Sequence, residues 1–205
     1  KTMSAQNEFL PESDIPVLDM GPYLAGAEGA LEVLAQQLRH AQENVGFYFI
    51  INHGVPKPLI TRAYDALRGF FALPDDEKKK VKLNAGRMGY VPAKSSVYVT
   101  SNVNENTKPD LNEVLLYVRE RAVDNPEVAG DRRFLGPNPW PDSKILPDFK
   151  ADLTAYYDSI ERLGFKMLAV YARALDLPAD YFDPFFKDPM WTTRNAFYPG
   201  SPQVE

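Results

Sequence analysis

The sequence predicts a mixed α+β fold, and two features carry the prediction. Phe149, Leu153, Tyr156, Ile160, Leu163, Met167, Val170 and Ala174 step by three and four, the spacing that gathers apolar side chains on one face of a long helix. Leu31, Leu34, Ala35, Leu38, Ala41 and Val45 repeat that period and run directly into Phe47-Tyr48-Phe49-Ile50-Ile51, which is apolar at every position, as a buried strand would be. Helices therefore feed strands along the chain.

Taken in order, Ile15-Pro16-Val17-Leu18-Asp19-Met20 is a short strand at a sheet margin, because proline cannot donate to an interior ladder. The helix that begins after Gly29 stops where Gly46 supplies a C-terminal glycine, and Asn52-His53-Gly54 forms the turn that ends the buried strand. A second helix is predicted from Lys57 to Phe71, burying Leu59, Ala63, Leu67, Phe70 and Phe71 before Leu73-Pro74 halts it. Pro74-Asp75-Asp76-Glu77 opens another short helix with carboxylates at its positive end. Asn84 to Thr107 has the composition of a long irregular loop carrying one or two short strands such as Val97-Tyr98-Val99. Leu111 to Val118 returns to strand, and Gly136-Pro137-Asn138-Pro139-Trp140-Pro141 makes Asp131 to Pro147 a loop. The long helix closes near Leu177-Pro178, aromatic-rich packing is expected at Phe182 to Phe186, and a last strand runs from Thr192 to Tyr198.

Composition bounds the function. The chain has 205 residues, 44% hydrophobic and 25% charged, enough for a sizeable core. Its net charge of −5 disfavours nucleic acid as the main partner, since phosphate neutralisation needs a basic surface. Lys78-Lys79-Lys80 is balanced by Asp75, Asp76 and Glu77 one turn earlier and reads as a solvated helix face. No apolar stretch approaches the roughly 20 residues of a membrane span, and Lys1 to Glu8 holds no secretory core, so a cytoplasmic location is expected. The absence of cysteine excludes thiolate chemistry and disulfides.

These elements, in this order, resemble the N-terminal half of the 2-oxoglutarate- and Fe(II)-dependent oxygenases of the isopenicillin N synthase-like group. The resemblance rests on Ile15-Pro16-Val17-Leu18-Asp19, Gly46-Phe47-Tyr48-Phe49-Ile50-Ile51-Asn52-His53-Gly54-Val55, Phe70-Phe71-Ala72-Leu73-Pro74 with Glu77-Lys78, and Gly89-Tyr90. Lys108-Pro109-Asp110 with Glu113, Gly136-Pro137-Asn138 with Trp140-Pro141, and Ala174-Leu175-Asp176-Leu177 follow in family order. It implies an N-terminal helical layer and the first strands of a double-stranded β-helix, or jelly roll, with the barrel incomplete in this chain. Residues 1–125 would be the N-terminal non-haem dioxygenase domain, and 126–205 the lead into a truncated Fe(II)/2-oxoglutarate oxygenase domain. The expectation is a fragment of a protein of about 300 residues or more.

The implied activity is oxidation of a small organic substrate with O2, most simply hydroxylation, with Fe(II) and 2-oxoglutarate as cofactors and succinate and carbon dioxide as co-products. Alternatives are an oxidative cyclase or ethylene-forming member of the group, and a non-catalytic scaffold that has lost its metal site. A facial iron site needs two imidazoles and a carboxylate. Neither of the two histidines, His40 and His53, begins a His-x-Asp, and neither that triplet, the distal histidine nor the Arg-x-Ser pair of the family is present, so no metal ligand is expected here. His53 reads as a turn-settling residue and His40 as a surface or boundary residue.

Tyr198 is the candidate for cofactor binding: the matching family tyrosine offers its hydroxyl to the 2-oxoglutarate carboxylate region, and a phenol can orient a carboxylate without adding charge. A plain core tyrosine is the competing role. Ala196 stands where plant members often carry asparagine, and Asn195 cannot replace it because successive strand side chains face opposite ways. Arg87 and Tyr90 begin the loop that in relatives borders the substrate mouth and are candidates for substrate binding, against a surface salt bridge or loop anchor for the arginine. Tyr98, Asn102 and Asn104 could line the same mouth. Asp110 and Glu113 have the look of an acid/base pair, but the family treats this segment as scaffold.

Overall fold

The computed structural model describes residues 15–95, 109–126, 128 and 133–200. Two compact units emerge, and neither is a continuous stretch of chain: residues up to Lys57 join Tyr156–Asp188, while Pro58–Ala155 join the residues from Pro189 onward. The mixed α+β expectation holds.

In the first unit, strand β1 (Val17–Asp19) pairs in parallel with β2 (Phe49–Ile51), Leu18 opposite Ile50. Pro16 sits just before β1, where its carbonyl accepts from the Phe49 amide and its missing N–H costs nothing. A one-turn helix α1 (Gly21–Leu24) follows, an element the periodicity did not announce, with a proline in its first turn. Helix α2 (Ala30–Asn44) ends as expected: the Gly46 amide reaches back to the Ala41 carbonyl with φ at 81°, a left-handed terminator that glycine adopts without penalty. Leu34, Ala35, Leu38 and Ala41 pack with Leu18, Met20 and the Met167, Val170 and Ala174 stripe of the long helix α5 (Phe149–Ala174).

Two expectations for this unit need correction. Phe47 to Ile51 is not buried on both faces: Tyr48 and Ile50 pack against the core, whereas Phe49 is 59% exposed and Phe47 and Ile51 are exposed with it. Among the described residues this sheet has two strands, and strand alternation delivers one set of side chains to the helices and the other set away from them. The aromatic run at Phe182 to Phe186 is a four-residue 3-10 turn, Asp183–Phe186, with no buried residue. Its rings meet local neighbours among the described residues, Tyr181 with Phe182 and with Phe185, as so short an element presents no extended face to a core.

The second unit contains helices α3 (Lys57–Phe71) and α4 (Asp75–Lys79) and the antiparallel sheet β3 (Gly89–Val91), β4 (Glu113–Val118) and β5 (Thr192–Phe197), in that spatial order. Tyr90 lies opposite Leu115, and Thr193 opposite Tyr117. On this face the core is aromatic: Phe70 meets Phe71, Tyr90 and Phe149, and Tyr117 meets Trp140 and Phe149. Leu67 of α3 is half-buried rather than fully enclosed. Strand β3 arises within the stretch read as irregular loop, while the proposed strand at Val97-Tyr98-Val99 lies outside the described residues.

Loop 133–147 is fastened by one asparagine. Asn138 accepts from the Val118 amide at 2.9 Å and donates to the Val118 carbonyl at 2.8 Å, taking the place of a neighbouring strand at the end of β4. Its amide nitrogen also reaches Glu120 at 2.6 Å, and the Trp140 indole donates to the same carboxylate. The Gly-Pro-Asn and Trp-Pro strings are thereby explained as one hydrogen-bonded knot.

Candidate functional site

Strand β5 sorts its side chains by the period of two. Thr193, Asn195 and Phe197 turn to the aromatic side, where the Phe197 ring stacks on Phe71 at 5.4 Å and the Asn195 amide donates to the Leu115 carbonyl. Arg194 and Ala196 lie on the opposite face, and Tyr198 continues that alternation just beyond the strand. Glu113, the first residue of β4, pairs with Phe197, the last of β5. Tyr198 is 71% exposed, and the Arg194 and largely buried Asn112 side chains act on its phenol. Arg194 first, and then Asn112, hold the phenol below its ordinary pKa, against the opposing effects of desolvation and Asp110. A phenol with a guanidinium and an amide beside it is suited to a carboxylate ligand.

Arg87 is exposed at a tight turn, with φ at 66°. Reciprocal bonds close the turn, Asn84 amide to Met88 carbonyl and Met88 amide to the Asn84 side chain, and the Phe134 amide donates to the Gly86 carbonyl. Tyr90 is only 1% exposed, and its hydroxyl donates to Glu113 Oε2 at 2.6 Å. Lys78 Nζ donates to the same oxygen at 2.7 Å and lies 3.2 Å from Asp75. The lysine and glutamate side chains are 5% and 15% exposed, so this is a buried ion pair with a phenol attached.

Burial alone would lower the Lys78 ammonium, but its bonds to Glu113 and Asp75 outweigh that and hold it at about 12. Burial, then the bond to Glu113, pushes the Tyr90 phenol up to about 12. Gly89 makes this convergence possible, since a Cβ there would stand 2.5 Å from the Val81 carbonyl and φ is 118°. Lys78 is thus not part of a solvated basic run, and Glu113 is committed to structure instead of being paired with Asp110.

His53 Nδ1 accepts from the Val55 amide at 3.2 Å, and exposed His40 contacts Asn44 one turn along its helix. Among the described residues no three His, Asp or Glu side chains are gathered as a metal would require, so they do not fit an iron site. Tyr98, Asn102 and Asn104 lie outside the described residues. Sequence reasoning missed Arg194 and Asn112. Arg194 shares the alternation of Ala196 and Tyr198 and was legible; Asn112 acts on Tyr198 from a distant stretch of sequence that no local pattern links to it.

Comparisons with known proteins bear on this site. Residues 15–143 match the family model described as "non-haem dioxygenase in morphine synthesis N-terminal". The 2-oxoglutarate-Fe(II) type oxidoreductase hxnY of Emericella nidulans is 35% identical over 196 residues, covering 93% of this chain and 54% of that protein. Homoarginine-6-hydroxylase of Glycine max is 32% identical over 94% of this chain and 58% of its own length. Among solved structures, a 2OG-Fe(II) oxygenase family protein from Caulobacter crescentus superposes with a TM-score of 0.75 at 27% identity over 92% of this chain and 57% of that one. A full-length Neurospora crassa protein, solved in complex with alpha-KG and thymine, gives 0.73 at 25% identity, over 90% of this chain and 55% of that one. The chain spans a little over half the length of these relatives. Among the described residues no helix is long and apolar enough to cross a membrane.

Proposed function

Because this chain belongs to the non-haem dioxygenase N-terminal family that its residues 15–143 match, we propose that it serves a 2-oxoglutarate- and Fe(II)-dependent oxygenase that hydroxylates a small organic molecule with O2. The observation that carries the reading is the match over 93% of this chain to a relative named as a 2-oxoglutarate-Fe(II) type oxidoreductase. Hydroxylation as the outcome is supported by the relative named as a hydroxylase. In this reading residues 1–125 are the N-terminal dioxygenase domain and 126–205 lead into the oxygenase domain, contributing the first strands of a jelly roll whose remainder lies elsewhere. A cytoplasmic location goes with it.

Oxygen activation belongs to the metal and cosubstrate. What these residues contribute is placement. Tyr198 donates its hydroxyl proton to a cosubstrate carboxylate, with Arg194 adding positive charge beside it. Arg87, on its closed turn, offers a guanidinium to an acidic group of the substrate. Tyr90 serves the same mouth from beneath, holding β3 through Glu113 without touching the ligand.

The full-length protein, supplied with Fe(II), 2-oxoglutarate and O2, is expected to release succinate in step with oxidation of a small-molecule substrate. Tyr198→Phe should raise the apparent 2-oxoglutarate constant between about three-fold and a hundred-fold with little change in metal affinity, the range between losing a neutral and a charge-assisted hydrogen bond. An unchanged cosubstrate constant together with lowered thermal stability would return Tyr198 to a packing role.

A further inference from the structure

We propose that the outward face of the β1–β2 ribbon is a docking surface whose occupant is the portion of the full-length protein that follows Glu205. The inference rests on the functional reading only in taking this chain to serve a longer protein, and it names the surface on which that further portion seats. Strand alternation sends Leu18, Tyr48 and Ile50 into the aliphatic core with α2 and α5. Ile15, Val17, Phe47, Phe49 and Ile51 have the other parity, and all five are exposed, Phe47 by 70%. Because the register sets Val17 beside Phe49, these side chains are grouped across the ribbon and not scattered singly. Asp19 shares their parity, but its Oδ1 is already taken by the Gly21 amide and the Asn52 side chain, each at 2.8 Å.

Two physical arguments make the ribbon incomplete as it stands. Parallel strands are stable where both faces are covered, and here one face is bare. The ribbon is also open along β2. The Phe49 amide bonds the Pro16 carbonyl and the Ile51 carbonyl accepts from the Met20 amide, so both residues turn their backbone groups to β1. Alternation turns those of Tyr48 and Ile50 to the other edge, where no third strand lies among the described residues. An apolar face beside an open edge fits an extended segment that carries apolar side chains on one side.

The residue types select the occupant. None of the five side chains is basic, so the face lacks the cations that hold a protein to an anionic lipid surface. A face that is apolar throughout has the character of a domain core cut in two, which is that of a permanent contact. The same polypeptide supplies such a contact most directly. The Emericella nidulans relative aligns with 93% of this chain over only 54% of its own length, so a protein of that kind has the further chain to fill the seat.

The test uses the full-length protein, with Phe47→p-benzoylphenylalanine for photo-cross-linking and hydrogen exchange by mass spectrometry on wild type, Phe49→Ala and Phe49→Leu. Irradiation should give an adduct of single-chain mass that maps to residues after Glu205, and the peptide over 47–52 should exchange as slowly as α2. Phe49→Ala should speed exchange of that peptide by about a hundred-fold or more, the effect of removing a large aromatic side chain from a packed site. Phe49→Leu keeps apolar bulk and should retain most of the protection. If Phe49→Ala does not fold, the cross-link and the leucine variant still decide. An adduct of two chains, or one that maps to residues 1–14, overturns the proposal by naming another occupant. A Phe49→Ala effect within about two-fold, the range of a surface substitution, also overturns it. Turnover of 2-oxoglutarate in a protein whose 47–52 peptide exchanges freely leaves the oxygenase reading standing and removes this one. A cross-link beyond Glu205 in a protein without turnover does the reverse.

Discussion

The two units solve the same problem with different chemistry. The first closes an aliphatic core of Leu18, Met20, Leu34, Leu38 and Val170 and leaves its ion pairs nearer the surface, as where Arg39 meets Asp176 at 2.6 Å with the carboxylate 80% exposed. The second surrounds Phe70, Tyr90, Tyr117 and Phe149 with buried polar links, among them the Lys78–Glu113 ion pair. Surface pairs contribute little after solvent screening, whereas removing one member of a buried pair strands the other away from water. The first unit should thus fail by losing volume and the second by losing a polar partner.

Glu113→Ala is expected to have the largest effect, a loss of about 3–5 kcal/mol in chemical denaturation, because it leaves Lys78 and the Tyr90 hydroxyl without their shared acceptor. Adding Lys78→Met should recover much of that loss; a double variant as unstable as the single one would show that the pair's shape, not its charge, matters. Leu38→Ala tests the other unit. It should cost about 2–5 kcal/mol through the cavity left beside Leu34 and Ala41, and a smaller cost would mean that α2 collapses readily onto the gap.

The comparison also separates with pH. Lys78 and Tyr90 both have folded pKa values raised to about 12, so their contribution is complete below their unfolded values and lost as pH rises toward 12. For Lys78 the loss is about 2 kcal/mol, from about 1.4 kcal/mol for each pH unit between its folded and unfolded values. Denaturation midpoints between pH 9 and 12, in wild type and Glu113→Gln, measure it; parallel curves would break the link to this cluster. The smallest effect is expected from Asp176→Ala. Arg39 keeps its bond to the Ala174 carbonyl and solvent replaces the carboxylate, so the denaturation midpoint should not move measurably.

The same contrast explains what the sequence disclosed. Helix α3 was legible almost to the residue and α5 to within a few residues of its end, because helical burial repeats locally, and the aliphatic stripe of α2 could be counted off directly. Strand β3 was not, since three residues around Gly89 show no alternation, and their place is set by a backbone approach to Val81. Glu77-Lys78, Gly89-Tyr90 and Glu113 stood out as strings, yet nothing local showed that they converge, because the two bonds to Glu113 close sequence gaps of 35 and 23 residues. At the candidate site, the common face of Arg194, Ala196 and Tyr198 follows from strand alternation. The influence of Asn112 on Tyr198 does not, since it comes from a distant stretch of sequence. The exposed side of β2 escapes a sequence reading for a related reason: an apolar string says which side chains could be buried, not how many neighbours arrive to cover them.

Asn138 has a consequence for how the protein ages. Asparagine commonly deamidates when the backbone nitrogen of the next residue attacks the side-chain carbonyl, a step that needs a nitrogen able to shed a proton. Pro139 follows Asn138 and offers none, and the side-chain oxygen and nitrogen are both held by Val118. The end of β4 is therefore closed by an amide in one of the few contexts where that amide is chemically durable. Peptide mapping after prolonged incubation at mildly alkaline pH should find Asn138 intact; conversion to aspartate there would also unpick the strand end it secures.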